Sequence, residues 1–162
     1  MKQNATKTNL FLFPLLFALA LTGCGKDEKS DPDPSPTVKS QLQGSWQKRL
    51  IRLQYYDAAG KMDFEDLVTE ENDYVYTFDE NTMTADYNDS SPLDVATYEI
   101  RSRGEKNYVH LSNGTDEVEN EILKLNSSEL IWQDEYEYLN YSKGNVSKTA
   151  DHAIYIEEFD KQ

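Results

Sequence analysis

The chain has 162 residues, of which 30 are acidic and 16 are lysine or arginine, so its formal net charge is −14. This charge argues against nucleic acid and anionic lipid surfaces as partners, because both select basic patches. Cys24 is the only cysteine, which excludes an internal disulfide and a thiolate metal site. The stability of the folded chain must therefore come from packing.

The first 23 residues are typical of a lipoprotein signal peptide. The start is basic, and the apolar run from Leu10 to Leu21 is shorter than the roughly 20 residues that a membrane-spanning helix needs. The run closes on Leu21-Thr22-Gly23-Cys24, which resembles the bacterial lipobox, where a peptidase cuts before a lipid-modified cysteine. The sequence therefore predicts cleavage before Cys24 and a palmitate-type membrane anchor on it. An ordinary secretion signal with a chance cysteine is the alternative.

Residues 24–40 are predicted to form a disordered tether, because they are charged, rich in proline and almost without apolar side chains. The cleaved chain would keep 14 basic and 30 acidic residues, a net charge of −16. Lys26-Asp27-Glu28 is similar to the surface-export signal of Bacteroidota lipoproteins. The sequence thus predicts attachment to the outer membrane and favours the cell surface; a charged linker that matches by chance is the alternative.

Residues 41–162 are predicted to form one all-β domain, because apolar residues alternate with polar ones in eight short segments. The connections between the segments are mostly short and turn-like. These features favour an eight-stranded up-and-down antiparallel barrel, since closure removes exposed sheet edges. An open sandwich is the alternative. The eight segments are 46–55, 74–78, 83–87, 96–100, 108–111, 118–125, 130–132 and 154–159.

Two segments depart from simple alternation. The first strand, residues 46–55, carries apolar residues on both faces, which predicts a bulge or sharp bend. Met62–Glu71 carries Phe64, Leu67 and Val68 at the spacing of a helical stripe. The sequence therefore predicts one short helix or ordered loop after the first strand, lying across one mouth of the barrel as a lid or a plug.

Several motifs resemble the lipocalins, and more specifically the lipocalin-like, calycin-type barrels carried by many Bacteroidota lipoproteins. Gly44-Ser45-Trp46 matches the Gly-x-Trp start of lipocalins, at the entry to the first strand. The strand and turn over residues 76–81 and the strand pair over residues 122–130 are also similar. The resemblance covers roughly residues 41–159 and implies a ligand-binding barrel.

The same resemblance implies that Trp46 plugs the closed end of the barrel, beside an arginine from the final strands. This chain has Lys148 and Lys161 in that region instead. The resemblance therefore predicts burial of Trp46, and the missing arginine is a departure from the lipocalin pattern.

No motif in the sequence indicates catalysis. His110 and His152 show no metal-ligand spacing, and there is neither a nucleophile elbow nor a phosphate-binding glycine loop. With 30 acids, paired carboxylates of the kind that glycosidases use will occur by accident. We therefore expect a protein that is not an enzyme and has no cofactor and no metal ion, with an envelope hydrolase as a distant alternative.

Tyrosines are the candidate ligand-binding residues, because each offers a flat apolar face with a polar tip. One set is expected to line a cavity inside the barrel, and a second set to form an outer surface on a late hairpin. The predicted partner is a small apolar molecule or a glycan. A solid aromatic core, and with it a purely structural or accessory barrel, is the alternative. The inner set is Tyr74, Tyr76, Tyr87 and Tyr98, and the outer set is Tyr136, Tyr138 and Tyr141.

Overall fold

The computed structural model describes residues 36–69, 74–87 and 93–162. The predicted signal peptide, Cys24 and most of the predicted tether lie outside these residues. Within them the chain forms one helix, α1 (Pro36–Leu42), and eleven strands. The strands are β1 (Gly44–Tyr56), β2 (Met62–Thr69), β3 (Val75–Asp79), β4 (Thr82–Asp86), β5 (Asp94–Arg103), β6 (Lys106–Ser112), β7 (Glu117–Leu125), β8 (Glu129–Glu137), β9 (Asn140–Lys143), β10 (Val146–Thr149) and β11 (His152–Lys161).

Eight of these strands close into an antiparallel barrel. Hydrogen bonds join β1, β3, β4, β5, β6, β7, β8 and β11 in that order, and β11 pairs again with β1. The prediction of an eight-stranded up-and-down antiparallel barrel is confirmed, and the open sandwich is wrong. Strand β2 and the hairpin β9–β10 are additions to this barrel.

Strand β1 organises the barrel because it is long enough to pair with three others. It pairs with β11 along its length, with β3 through its first residues and with β2 through its last ones. Its register with β11 shifts between Lys48 and Leu50, which confirms the predicted bulge. The shift explains why apolar residues occur at both even and odd positions of β1. Trp46 before the bulge and Ile51 after it are both buried.

The prediction of a helix over Met62–Glu71 is wrong. Residues 62–69 form strand β2, whose partner is the second half of β1. Glu65 accepts hydrogen bonds from Arg52 and Gln54 across the pair, and these contacts stabilise the extended form. The strand prolongs the barrel wall instead of crossing a mouth, and Leu67 remains 53% exposed, so the lid or plug prediction is not supported.

Helix α1 lies before β1 and covers one end of the barrel, which we call the closed end. Pro36 stands at its first position, where the missing amide proton costs nothing. Leu42 is fully buried and Val38 packs against the same core. Residues 36–40, which the composition assigns to the tether, are therefore helical, and the helix contacts the barrel core through Val38 and Leu42.

The closed end is filled by a tightly packed, largely aromatic core. Trp46 is fully buried, and its Nε1 donates a hydrogen bond to the Leu42 carbonyl over 2.7 Å. Gly44 has φ near +105°, and a Cβ there would lie 3.3 Å from Cε of Lys161, so a larger residue would be strained. The largest fully buried side chains are those of Trp46, Trp132, Phe78, Phe159, Leu42, Leu130 and Val109.

The hairpin β9–β10 packs against the wall that β1 and β2 extend. Tyr141 stacks on Tyr55 with ring centroids 4.4 Å apart, and Phe64 of β2 completes the cluster. Asp63 of β2 accepts hydrogen bonds from Tyr141, Lys143 and Lys148. These donors hold the pKa of Asp63 well below its usual value. Phe64, one of the apolar residues of β2, therefore packs in a small second core with Tyr55 and Tyr141.

Candidate ligand-binding site

The barrel has an open end opposite helix α1, where the last residues of β4, the first residues of β5 and the β6–β7 turn meet. A pocket of about 300 Å³ lies there, and we call it the mouth pocket. This volume is at the lower limit of typical small-molecule sites. Its apolar walls are formed by Met83, Ala85, Val95, Ala96, Leu111 and Val118.

Two of the predicted inner tyrosines line the mouth pocket. Tyr76 projects from β3, and Tyr87 follows β4. The Tyr87 hydroxyl donates a 2.7 Å hydrogen bond to Asp94, which together with burial raises the pKa of Tyr87 well above its usual value. Tyr74 meets the Tyr87 ring edge to face, at 5.1 Å between centroids, and so supports the wall from behind.

The fourth inner tyrosine, Tyr98, belongs to the closed end. It is buried, its ring packs edge to face on Phe78, and its hydroxyl accepts a hydrogen bond from Gln43. Burial raises the pKa of its hydroxyl. The predicted inner set therefore divides between a pocket wall and a packed core.

The predicted outer tyrosines are not brought together on one surface. Tyr141 lies in the second core, whereas Tyr138 is 68% exposed. Tyr136 shares the inward face of β8 with Trp132, by strand alternation, and its ring meets Tyr155 at 6.3 Å. Burial and the charge of Asp134 raise the pKa of Tyr136 to about 12.

A buried ion pair lies beside Tyr76, one of the wall residues of the mouth pocket. Lys48 Nζ is 2.6 Å from a carboxylate oxygen of Glu157, and both side chains are at least 90% buried. The other oxygen of Glu157 accepts a 2.7 Å hydrogen bond from Trp132 Nε1. Lys48 also donates to the Tyr76 hydroxyl over 3.3 Å and lies 4.5 Å from the Tyr74 ring centroid.

This ion pair was not predicted from the sequence, although the sequence contains a signal for it. Lys48 is two residues after Trp46, and Glu157 is two residues before Phe159, so each shares the phase of a buried aromatic residue. Charges of opposite sign in the inward phase of two strands indicate a buried pair only when the strands are neighbours. Here β1 and β11 are neighbours because the barrel closes.

The charged groups that line the mouth pocket are all acidic. They are Asp94, Asp116 and Glu117, and no lysine or arginine is among the lining residues that the structure describes. His110 Nε2 lies 3.8 Å from Glu117. Lys48 lies outside this lining and is paired with Glu157, and its effect on the Tyr87 hydroxyl is smaller than that of Asp94.

The other hollows among the described residues have fewer apolar walls than the mouth pocket or are more open to solvent. A hollow of about 450 Å³ beside α1 is larger but more open, and its lining includes the exposed Glu80 and Asn81. Among residues 36–69, 74–87 and 93–162, no three histidine, cysteine or acidic side chains are placed to hold a metal ion. No helix in the same ranges is long and apolar enough to cross a membrane.

At the closed end a lysine stands where the lipocalin pattern has an arginine. Lys161, from the last strand, places its Nζ 4.7 Å from the Trp46 ring centroid and donates to the Gln41 carbonyl. The fold is compatible with a lipocalin-like barrel. No protein-family model, curated protein or solved structure matches the chain. Lys148, the other candidate cation, binds Asp63 instead.

Proposed function

We propose that this lipocalin-like barrel is a non-catalytic binding protein that holds a small, largely apolar ligand in the mouth pocket. The observation that carries the proposal is the difference between the two ends of one barrel. The closed end is packed around Trp46 and Phe159, whereas the open end keeps about 300 Å³ between Tyr76, Tyr87 and Leu111. Apolar walls with a few polar groups are typical of small-molecule sites.

The two alternatives have less support. A purely structural barrel accounts for the packed core but not for the pocket above the Lys48–Glu157 pair. An envelope hydrolase would need two carboxyl groups facing each other across a substrate cleft. The glycan version of the binding proposal depended on Tyr136, Tyr138 and Tyr141 sharing one surface, and these three side chains lie in different surroundings.

Filling the mouth pocket should abolish binding of an apolar probe. Ala96 lines the pocket, so a phenyl ring in Ala96→Phe would occupy the space of the ligand. We expect the affinity for the neutral fluorophore N-phenyl-1-naphthylamine to fall about tenfold or more, a loss of about 1.4 kcal/mol or more. Fluorescence titration measures the change.

The matched control for this experiment is Ala58→Phe. Ala58 is exposed in the turn between β1 and β2 and is not among the residues that line the mouth pocket, so its replacement should leave the titration unchanged. A thermal melt of both variants checks folding, since overpacking at residue 96 can cost about 1–3 kcal/mol. Equal probe binding by the wild type and a folded Ala96→Phe variant would contradict the proposed site.

We further propose that the protein is anchored to the outer membrane by lipid on Cys24, with the barrel exposed at the cell surface. The support is the lipobox-like tetrapeptide that ends at Cys24 and the Lys26-Asp27-Glu28 segment after it. Several acyl chains on one cysteine would give a durable anchor, since each buried methylene contributes about 0.8 kcal/mol.

Metabolic labelling with an alkynyl palmitate analogue tests the anchor. Wild-type protein expressed with its own signal should be labelled, and Cys24→Ala should lose the label and leave the membrane fraction, because no other thiol is present. Similar labelling of the two proteins would show that the lipid is not on Cys24.

A further inference from the structure

The polar groups of the mouth pocket are predominantly hydrogen-bond acceptors. The proton of the Tyr87 hydroxyl is already donated to Asp94, so this tyrosine offers its oxygen lone pairs. Asp116 and Glu117 add carboxylates at the rim, where the β6–β7 turn meets the pocket. A ligand that satisfies these groups must bring donors or positive charge.

The nearest buried cation cannot compensate these acids. Lys48 lies behind Tyr76, with its ammonium group 2.6 Å from Glu157 and facing the rings of Tyr74 and Tyr76. Its charge is paired with Glu157, and at the Tyr87 hydroxyl the effect of Asp94 outweighs that of Lys48. An anionic head group would meet three carboxylates and no free cation in the described lining, and its entry would be opposed by this field.

The apolar part of the pocket lies deeper than the acids. Met83, Ala85 and Leu111 are buried members of the barrel core that also line the pocket. Asp94 begins β5, and Asp116 and Glu117 stand where β7 begins. The arrangement is an apolar cleft with an acidic rim. It is therefore complementary to an amphipathic molecule with a positively charged head.

We propose that the ligand of the mouth pocket is a small amphipathic cation, an amine whose aliphatic or aromatic body enters between Met83, Ala85 and Leu111. Its ammonium group stays at the rim, where Asp94 and Asp116 attract it and the Tyr87 ring offers a face for a cation–π contact. This inference rests on the proposed function, because it names the ligand class of the same pocket.

Three probes of equal chain length separate the contribution of charge from that of apolar burial. They are octylammonium, octan-1-ol and octanoate. Each is titrated by calorimetry at low salt into the folded domain, residues 36–162. We expect octylammonium to bind about tenfold more tightly than octan-1-ol, since each nearby opposite charge contributes about 1 kcal/mol at 4 Å even in water. Octanoate should bind most weakly.

Neutralising two acids of the rim tests whether they attract the ammonium group of the ligand. In the double variant Asp94→Asn with Asp116→Asn, the amide oxygen at residue 94 can still accept the Tyr87 hydrogen bond. We expect octylammonium binding to weaken about tenfold and octan-1-ol binding to stay within about twofold. The control, Asp79→Asn with Glu105→Gln, removes the same charge from exposed turns at the closed end and should change both affinities by less than about twofold.

The outcomes distinguish this inference from the proposed function. Equal binding of the three octyl probes, or preference for octanoate, would overturn the cationic ligand while leaving a binding pocket in place. Equal losses of octylammonium affinity in the rim and control variants would overturn it as well, because a general field would then explain the preference. If neither the octyl probes nor N-phenyl-1-naphthylamine bind, both proposals are wrong.

Discussion

Replacing Trp46 by alanine is expected to destabilise the barrel by about 3–5 kcal/mol, the usual cost of removing a large aromatic side chain from a packed core. Trp46 is fully buried, and three contacts depend on it. Its ring packs in the closed-end core, its Nε1 satisfies the Leu42 carbonyl, and its face holds Lys161. Urea denaturation of the soluble domain measures the loss.

The control for this experiment is Tyr138→Ala, which removes another large ring, 68% exposed. Its effect on the free energy of unfolding should stay within about 0.5 kcal/mol. A loss below about 1 kcal/mol for Trp46→Ala would show that the Gly44-Ser45-Trp46 motif does not anchor the closed end.

Breaking the buried ion pair should be about as costly as removing Trp46. In Lys48→Met the Glu157 carboxylate loses its 2.6 Å partner while it remains buried, and an uncompensated buried charge typically costs about 3–5 kcal/mol. The Trp132 Nε1 hydrogen bond to Glu157 cannot replace the lost ammonium group. Urea denaturation at pH 7 measures the effect.

The double variant Lys48→Met with Glu157→Gln separates the cost of an orphaned charge from the cost of lost packing. The amide oxygen that Glu157→Gln places at residue 157 can still accept the Trp132 hydrogen bond, and neither side chain of the former pair is charged. Because apolar replacements of buried pairs are often neutral or stabilising, we expect the double variant to recover most of the stability that Lys48→Met loses. A double variant as unstable as the single one would show that packing, not charge pairing, sets the cost.

The ion pair contacts both the packed core and the wall of the mouth pocket. Glu157 accepts the Trp132 Nε1 hydrogen bond, and Lys48 donates to the hydroxyl of Tyr76, which lines the pocket. The Tyr76 ring in turn packs 5.3 Å from the Phe159 ring. Because burying two charges is expensive compared with filling the same volume with apolar groups, the pair is a costly element at the place where core and pocket wall meet.

The alternation of apolar and polar residues was sufficient to predict the barrel. Eight short segments of period two with tight connections leave few ways to bury their apolar faces, and closure is the one that leaves no edge. The bulge in β1 was also predictable, because a strand with apolar residues in both phases must change its register once. Both features depend on the local alternation of apolar and polar residues, which can be read directly from the sequence.

Helical spacing misled the interpretation of residues 62–69. Phe64, Leu67 and Val68 would share one face of a helix, yet the second half of β1 offered the backbone of this segment a complete set of strand partners. Composition also gave no sign of α1, because this helix is stabilised by contacts of Val38 and Leu42 with the barrel core. Local propensity is a weak prior when tertiary contacts compete with it.

The sequence by itself determined the fold class, the position of the tryptophan that plugs the barrel and the acidity of the chain. Only the tertiary structure decided which tyrosines line a pocket, which pack in a core and which stay exposed. It alone showed that Lys48 meets Glu157 and that Asp94 meets Tyr87. The physical reason is that periodicity reports which face a side chain takes, whereas barrel closure and strand register decide its neighbours along that face.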